Sequence, residues 1–149
     1  MKGQRGLSLV ELVVAVAVTG IIVVFLGTAI YQMITITGYG NSRLTALHEL
    51  QNAAHWFTRD GQRAVSADAS GGLLLTISES SSITYSLAGT ELRRDPGGNP
   101  MVLARNISSA AFSVDSRTVT MSLTSSPGGR DAVSENATYR VFLRPTEGG

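Results

Sequence analysis

The residue that stands out chemically is Glu11, an acid about one turn into a long apolar run. From Leu12 to Ser42 no residue carries a charge, and the next charged side chain is Arg43. A lone carboxylate buried in lipid costs several kcal/mol, so such an acid is usually functional and usually has a partner. The simpler alternative is that Glu11 sits at headgroup level and snorkels, partly balanced by Arg5. His48 and His55, seven residues apart, share a helix face near Glu49 and Asp60, a spacing that invites a metal or acid–base reading. No H-E-x-x-H or comparable motif accompanies them, and solvent-facing histidines are the better reading. The run Asp95-Pro96-Gly97-Gly98-Asn99 has too few acids for a calcium loop and reads as a turn. Gly97-Gly98 and Gly128-Gly129 lack the strand–helix setting of a phosphate loop, and the serine-rich stretches lack a general base at fixed spacing. Asn106-Ile-Ser and Asn136-Ala-Thr fit a glycosylation sequon by chance.

Composition narrows the field further. The chain has 149 residues, 12 Lys+Arg, 11 Asp+Glu and a formal charge of +1. That balance, with no basic stripe, argues against strong nucleic-acid binding, although Arg93 and Arg94 could make weak phosphate contacts. Without a cysteine, disulfides, iron–sulfur clusters and thiolate zinc sites are excluded. No cofactor, metal or catalytic constellation is expected, and the chain reads as a non-enzyme.

The elements that must hold Glu11 come next. Leu12–Ile36 is long enough to cross a bilayer core of roughly 30 Å once as a helix. Lys2 and Arg5 precede it, so the positive-inside rule leaves the N-terminus in the cytoplasm and the chain after Arg43 outside. The run is too long for a conventional secretory signal and has no good cleavage site behind it.

Gly6-Leu7-Ser8-Leu9-Val10-Glu11, after a short basic leader and ahead of a long apolar helix, closely resembles the prepilin signal of type IV pilins and type II secretion pseudopilins. The resemblance implies cleavage by a prepilin peptidase between Gly6 and Leu7, N-methylation of Leu7, and Glu11 as the fifth residue of the mature chain. In that family the acid attracts the N-terminal amine of a neighbouring subunit. A unit pair at about 4 Å is worth roughly 4 kcal/mol at an effective dielectric near 20, part of which desolvation takes back. The pair would therefore set register more than bulk stability. The implied partners are other pilins or pseudopilins, the peptidase, the inner-membrane assembly platform and membrane lipid. Two departures are notable: Leu7 stands where the family commonly has Phe or Met, and Gly27-Thr28 lies where major pilins often have Pro. With no C-terminal cysteine pair, this favours a minor pilin or pseudopilin. The alternative is a single-pass membrane-anchored extracytoplasmic binding module, which would have no use for Gly6 and Glu11 in register.

Beyond Arg43, Leu44, Leu47, Leu50, Ala54 and Phe57 recur at helical spacing, which predicts an amphipathic helix to about Ala64, ended by Ser-Ala-Asp-Ala-Ser-Gly-Gly. Trp56 is expected to anchor the helix on a sheet. Period-two segments follow at Gly72–Ser78, Ser82–Leu87, Glu91–Arg94, Met101–Ala104, Ala111–Val114, Thr118–Leu123 and Tyr139–Leu143, with a polar loop over Ser125–Asn136. The expected organisation is a leader at 1–6, a membrane or filament-core helix at 7–36, an amphipathic helix at 37–64 and a β-rich head at 65–149. This is an α+β fold: one long N-terminal helix packed on a small antiparallel sheet. Segments of the head, among them Arg59-Asp60, Ile83–Leu87 and Val102–Ile107, loosely resemble J-type minor pseudopilins and W-type minor pilins.

Overall fold

The computed structural model describes residues 8–128 and 133–145. The chain divides into two compact units, the first ending at Gly38 and the second starting at Tyr39. One helix, α1 (Leu9–Arg63), contributes to both.

In the first unit, Leu9 to Gly38 is a single helical stretch whose side chains are all exposed. Val10, Phe25, Tyr31, Met33 and Ile36 are each more than two-thirds exposed. An apolar surface of this extent is not left to water. The helix is long and apolar enough to cross a membrane once. Its threonine hydroxyls are turned onto the backbone: Thr19, Thr28, Thr35 and Thr37 each donate to the carbonyl four residues back, on Ala15, Val24, Tyr31 and Met33. The exposed amide side chain of Gln32 makes no such bond among the described residues.

The second unit wraps the remainder of α1 in strands. The row Ala46, Leu50, Ala53, Phe57 and Asp60, stepping by threes and fours, is buried together with Gly61 beside it. Leu44, expected on this face, is exposed, and Leu47 and Ala54 are half-buried, because the buried row runs through Ala46 and Ala53 instead.

Eight antiparallel strands follow: β1 (Ser66–Asp68), β2 (Leu73–Ser78), β3 (Ser81–Ala88), β4 (Glu91–Asp95), β5 (Met101–Ala104), β6 (Ile107–Asp115), β7 (Thr118–Ser125) and β8 (Glu135–Phe142). They form two sheets rather than one, a five-stranded meander β1-β2-β3-β4-β5 and a three-stranded β6-β7-β8. The break falls at Asn106, whose left-handed backbone (φ 57°) turns the chain out of the β4–β5 hairpin.

Alternation places Leu73, Leu75, Ile83, Tyr85, Leu92 and Leu103 of the first sheet in one core with Val119, Met121, Leu123 and Val141 of the second. Helix α1 packs on both sheets. Gly61 lies against the Val141 side chain so closely that a Cβ would overlap its methyl groups. Asn52 Nδ2 donates to the carbonyl of Leu103 on β5 at 2.5 Å, and Arg43 Nε meets Glu135 Oε1 of β8 at 2.9 Å. Where β2 begins, Gly72 (φ +116°) passes 2.7 Å, at its would-be Cβ, from the Tyr85 carbonyl, a position only glycine fits.

Candidate functional site

Two polar constellations emerge, one in each unit. At the start of α1, Ser8 is the N-cap, and its Oγ accepts a hydrogen bond from the Glu11 backbone N–H at 3.3 Å. Ser8-Leu9-Val10-Glu11 is the S-x-x-E pattern of a capping box, a signal that the sequence carries. The acid also sits in the first helical turn, where the helix dipole favours negative charge. Glu11 is exposed, and its carboxylate forms no ion pair among the described residues. Gly6 and Leu7, the expected cleavage and methylation positions, and Arg5, the balancing cation, lie outside the described residues. What the geometry contributes is an exposed acid in the first turn of a capped helix, on the same face as the side chains at positions 14 and 15.

The second constellation was not foreseen. Asp60 is fully buried, and Arg94 clamps it with two bonds: Nε to Oδ2 at 2.6 Å and Nη2 to Oδ1 at 3.0 Å. The Tyr85 hydroxyl donates to Oδ2 at 2.5 Å. Burial, followed by the bond to Asp60, pushes the Tyr85 phenol well above its ordinary range. The bond to the Asp60 carboxylate holds the Arg94 guanidinium charged more firmly than usual. That guanidinium also lies 4.8 Å from the centroid of the Trp56 ring, with Arg59 at 5.3 Å from the same ring. The cluster joins α1 to β3 and β4. Each group is satisfied by the others, which describes a latch. Half-buried Trp56 packs on the core beside it, as the sequence suggested.

The other sequence candidates are accounted for. His48 and His55 are exposed, and two turns of helix separate them by about 10 Å, too far to share a metal ion. No group of three potential metal-holding side chains occurs among the described residues. Asp95 Oδ1 accepts the backbone N–H groups of Gly97, Gly98 and Asn99, so this carboxylate oxygen faces into its own turn. Arg93 and Arg94 do not form a phosphate-reading pair: Arg94 is buried on Asp60, and Arg93 bonds Glu91 at 2.8 Å. That bond keeps the Glu91 carboxyl below its usual range. Asn136 Oδ1 is taken by the Thr124 hydroxyl at 2.7 Å, and Asn106 occupies the left-handed turn.

Comparison with known families finds a match at the N-terminus. Residues 1–27 match the family described as the prokaryotic N-terminal methylation motif. The match spans Gly6, Leu7 and Glu11 and ends within the apolar part of α1, short of the second unit. Comparisons with curated proteins and with solved structures each found no match.

Proposed function

We propose that the chain is a pilin-type filament subunit, a minor pilin or pseudopilin, trimmed between Gly6 and Leu7 and methylated on the new Leu7 amine. The carrying observation is the methylation motif over residues 1–27, within which Glu11 lies in the capped first turn of an exposed apolar helix. The motif supports processing of the pilin type, and the apolar helix supports membrane anchoring. The reading continues as follows. The N-terminus faces the cytoplasm and the β-rich unit lies outside. On assembly, Glu11 receives the amine of a neighbouring subunit, and the apolar helix passes from lipid into the filament core. The filament is a type IV pilus, a type II secretion pseudopilus or a DNA-uptake pilus, in which this chain is a J-type or W-type subunit. Its role is structural, not catalytic.

Cleavage tests the reading directly. Intact-mass analysis of the membrane-extracted chain is expected to show loss of Met1–Gly6 and gain of one methyl group. Gly6→Val should block processing because its branched Cβ obstructs the peptidase, leaving the chain in the membrane. A chain that keeps Lys2 and Arg5 in cells with an active prepilin peptidase refutes the proposal. Glu11→Ala and Glu11→Gln should both insert and be trimmed normally but fail to co-purify with partner pilins. Normal assembly of both variants would leave Glu11 without a part in subunit pairing.

A further inference from the structure

Among the sheet edges, β8 is distinctive. An exposed strand edge is a template for another strand, and folded proteins blunt such edges with short length, bulges, Pro or Lys. The edge strand β1 has three residues, and β5 has four with a register shift against β4. β6 is interrupted between Ile107 and Ser109, and its other side meets β1, β3 and β4. β8 has eight residues, contains no Pro, Gly or Lys, and pairs with β7 residue for residue without a bulge. Nothing among the described residues pairs with its outer side.

That outer side borders a groove. Glu135, Tyr139 and Val141 of β8 face α1, as the Arg43–Glu135 ion pair and the Gly61–Val141 contact show. Between Tyr139 and the helix flank of Gln51, His55, Thr58, Arg59 and Gln62 lies an open groove of about 520 Å³, most of whose lining is apolar. Its charge is one-sided. No acid lines it, and Arg59 has no carboxylate partner among the described residues, only the Trp56 ring.

A free strand edge beside a side-chain groove is the arrangement used for strand addition: the main chain supplies affinity, and alternate side chains enter the groove. We infer that β8 and the α1 groove accept an extended, acidic segment of a neighbouring subunit, which adds as a fourth strand with its carboxylates toward Arg59. The occupant is acidic because the groove offers a cation and no competing anion. That the donor is a filament neighbour rests on the pilin-type reading. The contact is heterologous, edge to strand, and a heterologous contact whose rotation does not close propagates as a helical filament.

The test uses the full chain in detergent micelles and a blocked peptide matched to β8 in length, alternating glutamate and valine. A lysine–valine peptide is the control. The glutamate peptide is expected to slow amide exchange at alternate β8 residues and to bind on the order of tenfold more weakly to Arg59→Glu, a loss of about 1.4 kcal/mol. Arg59→Gln should fall between the two, and Arg59 is exposed, so both variants keep the core intact. Equal binding of the two peptides, protection at β5 in place of β8, or a β8 edge already protected in a peptide-free dimer would each overturn the inference. The mass assay on the same preparation separates the failures. A trimmed chain that ignores the peptide rejects the groove alone, whereas an untrimmed chain that binds it rejects the subunit reading.

Discussion

Replacing Arg94 with methionine should cost the second unit a large part of its stability, because it strands the Asp60 carboxylate. That carboxylate is fully buried and receives three bonds, at 2.5, 2.6 and 3.0 Å, two of them from Arg94. Arg94→Met keeps an unbranched side chain of similar reach but removes the guanidinium that lies over Trp56 and leaves Asp60 with the Tyr85 hydroxyl alone. Breaking a buried ion pair from one side typically costs about 3–5 kcal/mol. A domain of this size has only about 5–15 kcal/mol in total. Replacing all three members by apolar groups, with Asp60→Leu, Tyr85→Phe and Arg94→Met together, removes the charge and the orphaned hydroxyl at once. The triple variant should lie within about 2 kcal/mol of the parent, since buried ion pairs roughly break even against apolar packing. Urea unfolding of the full chain in micelles, followed by fluorescence of Trp56, the only tryptophan, measures all three proteins. If Arg94→Met costs less than about 1 kcal/mol, or if the triple variant is as unstable as the single one, then the cluster is not a charge-compensated latch.

Three other outcomes are expected. The raised Tyr85 phenol keeps its proton in the folded state at pH values where the unfolded chain has lost it, so its contribution is intact below about pH 10 and falls by up to about 1.4 kcal/mol per pH unit above that; alkaline unfolding of Tyr85→Phe should lack this limb. Gly61→Ala should destabilise by about 1–3 kcal/mol through overlap with Val141, with much of the loss restored by Val141→Ala, as thermal melts of the pair will show. A fragment beginning at Tyr39 should be a soluble, folded helix–strand domain by circular dichroism and size-exclusion chromatography, since the compact second unit starts there and leaves the exposed apolar run behind.

Much of the fold was legible because it is written in local periods. The apolar run, the threes and fours of Leu50 and Phe57, and the alternation of Leu73–Leu75 or Val119–Met121–Leu123 each follow from a single element's geometry. Failures occurred where pairing overrode composition. Ser66–Asp68 reads as a helix breaker, and it is one, yet its backbone also pairs with β2. Glu135–Thr138 is polar enough to pass for loop and is instead the first half of β8, where the register with β7 decides. The buried Asp60 was invisible for a different reason. An acid in an amphipathic helix is assigned to the wet face unless its cation is known, and Arg94 lies thirty-four residues away on another element. At the N-terminus the reverse held: Gly6 and Glu11 announce themselves in sequence through spacing, while the structure adds only the cap.

The back-bonded threonines have a bearing on how the helix measures its surroundings. With the hydroxyls of Thr19 and Thr28 turned onto carbonyls, the stretch from Leu12 to Ile30 offers no free side-chain polar group to a lipid or to another helix. Polarity returns at Glu11 on one side and at the exposed Tyr31 phenol and Gln32 amide on the other. The apolar stretch between Glu11 and Tyr31 is about 28 Å of helix, close to the thickness of a typical hydrocarbon layer. The segment therefore works as a gauge block: it fits a bilayer of one thickness upright, tilts in a thinner one, and draws its two polar ends inward in a thicker one at a cost per ångström. A bilayer that thins locally would ease such a helix out of lipid without any change in the chain itself.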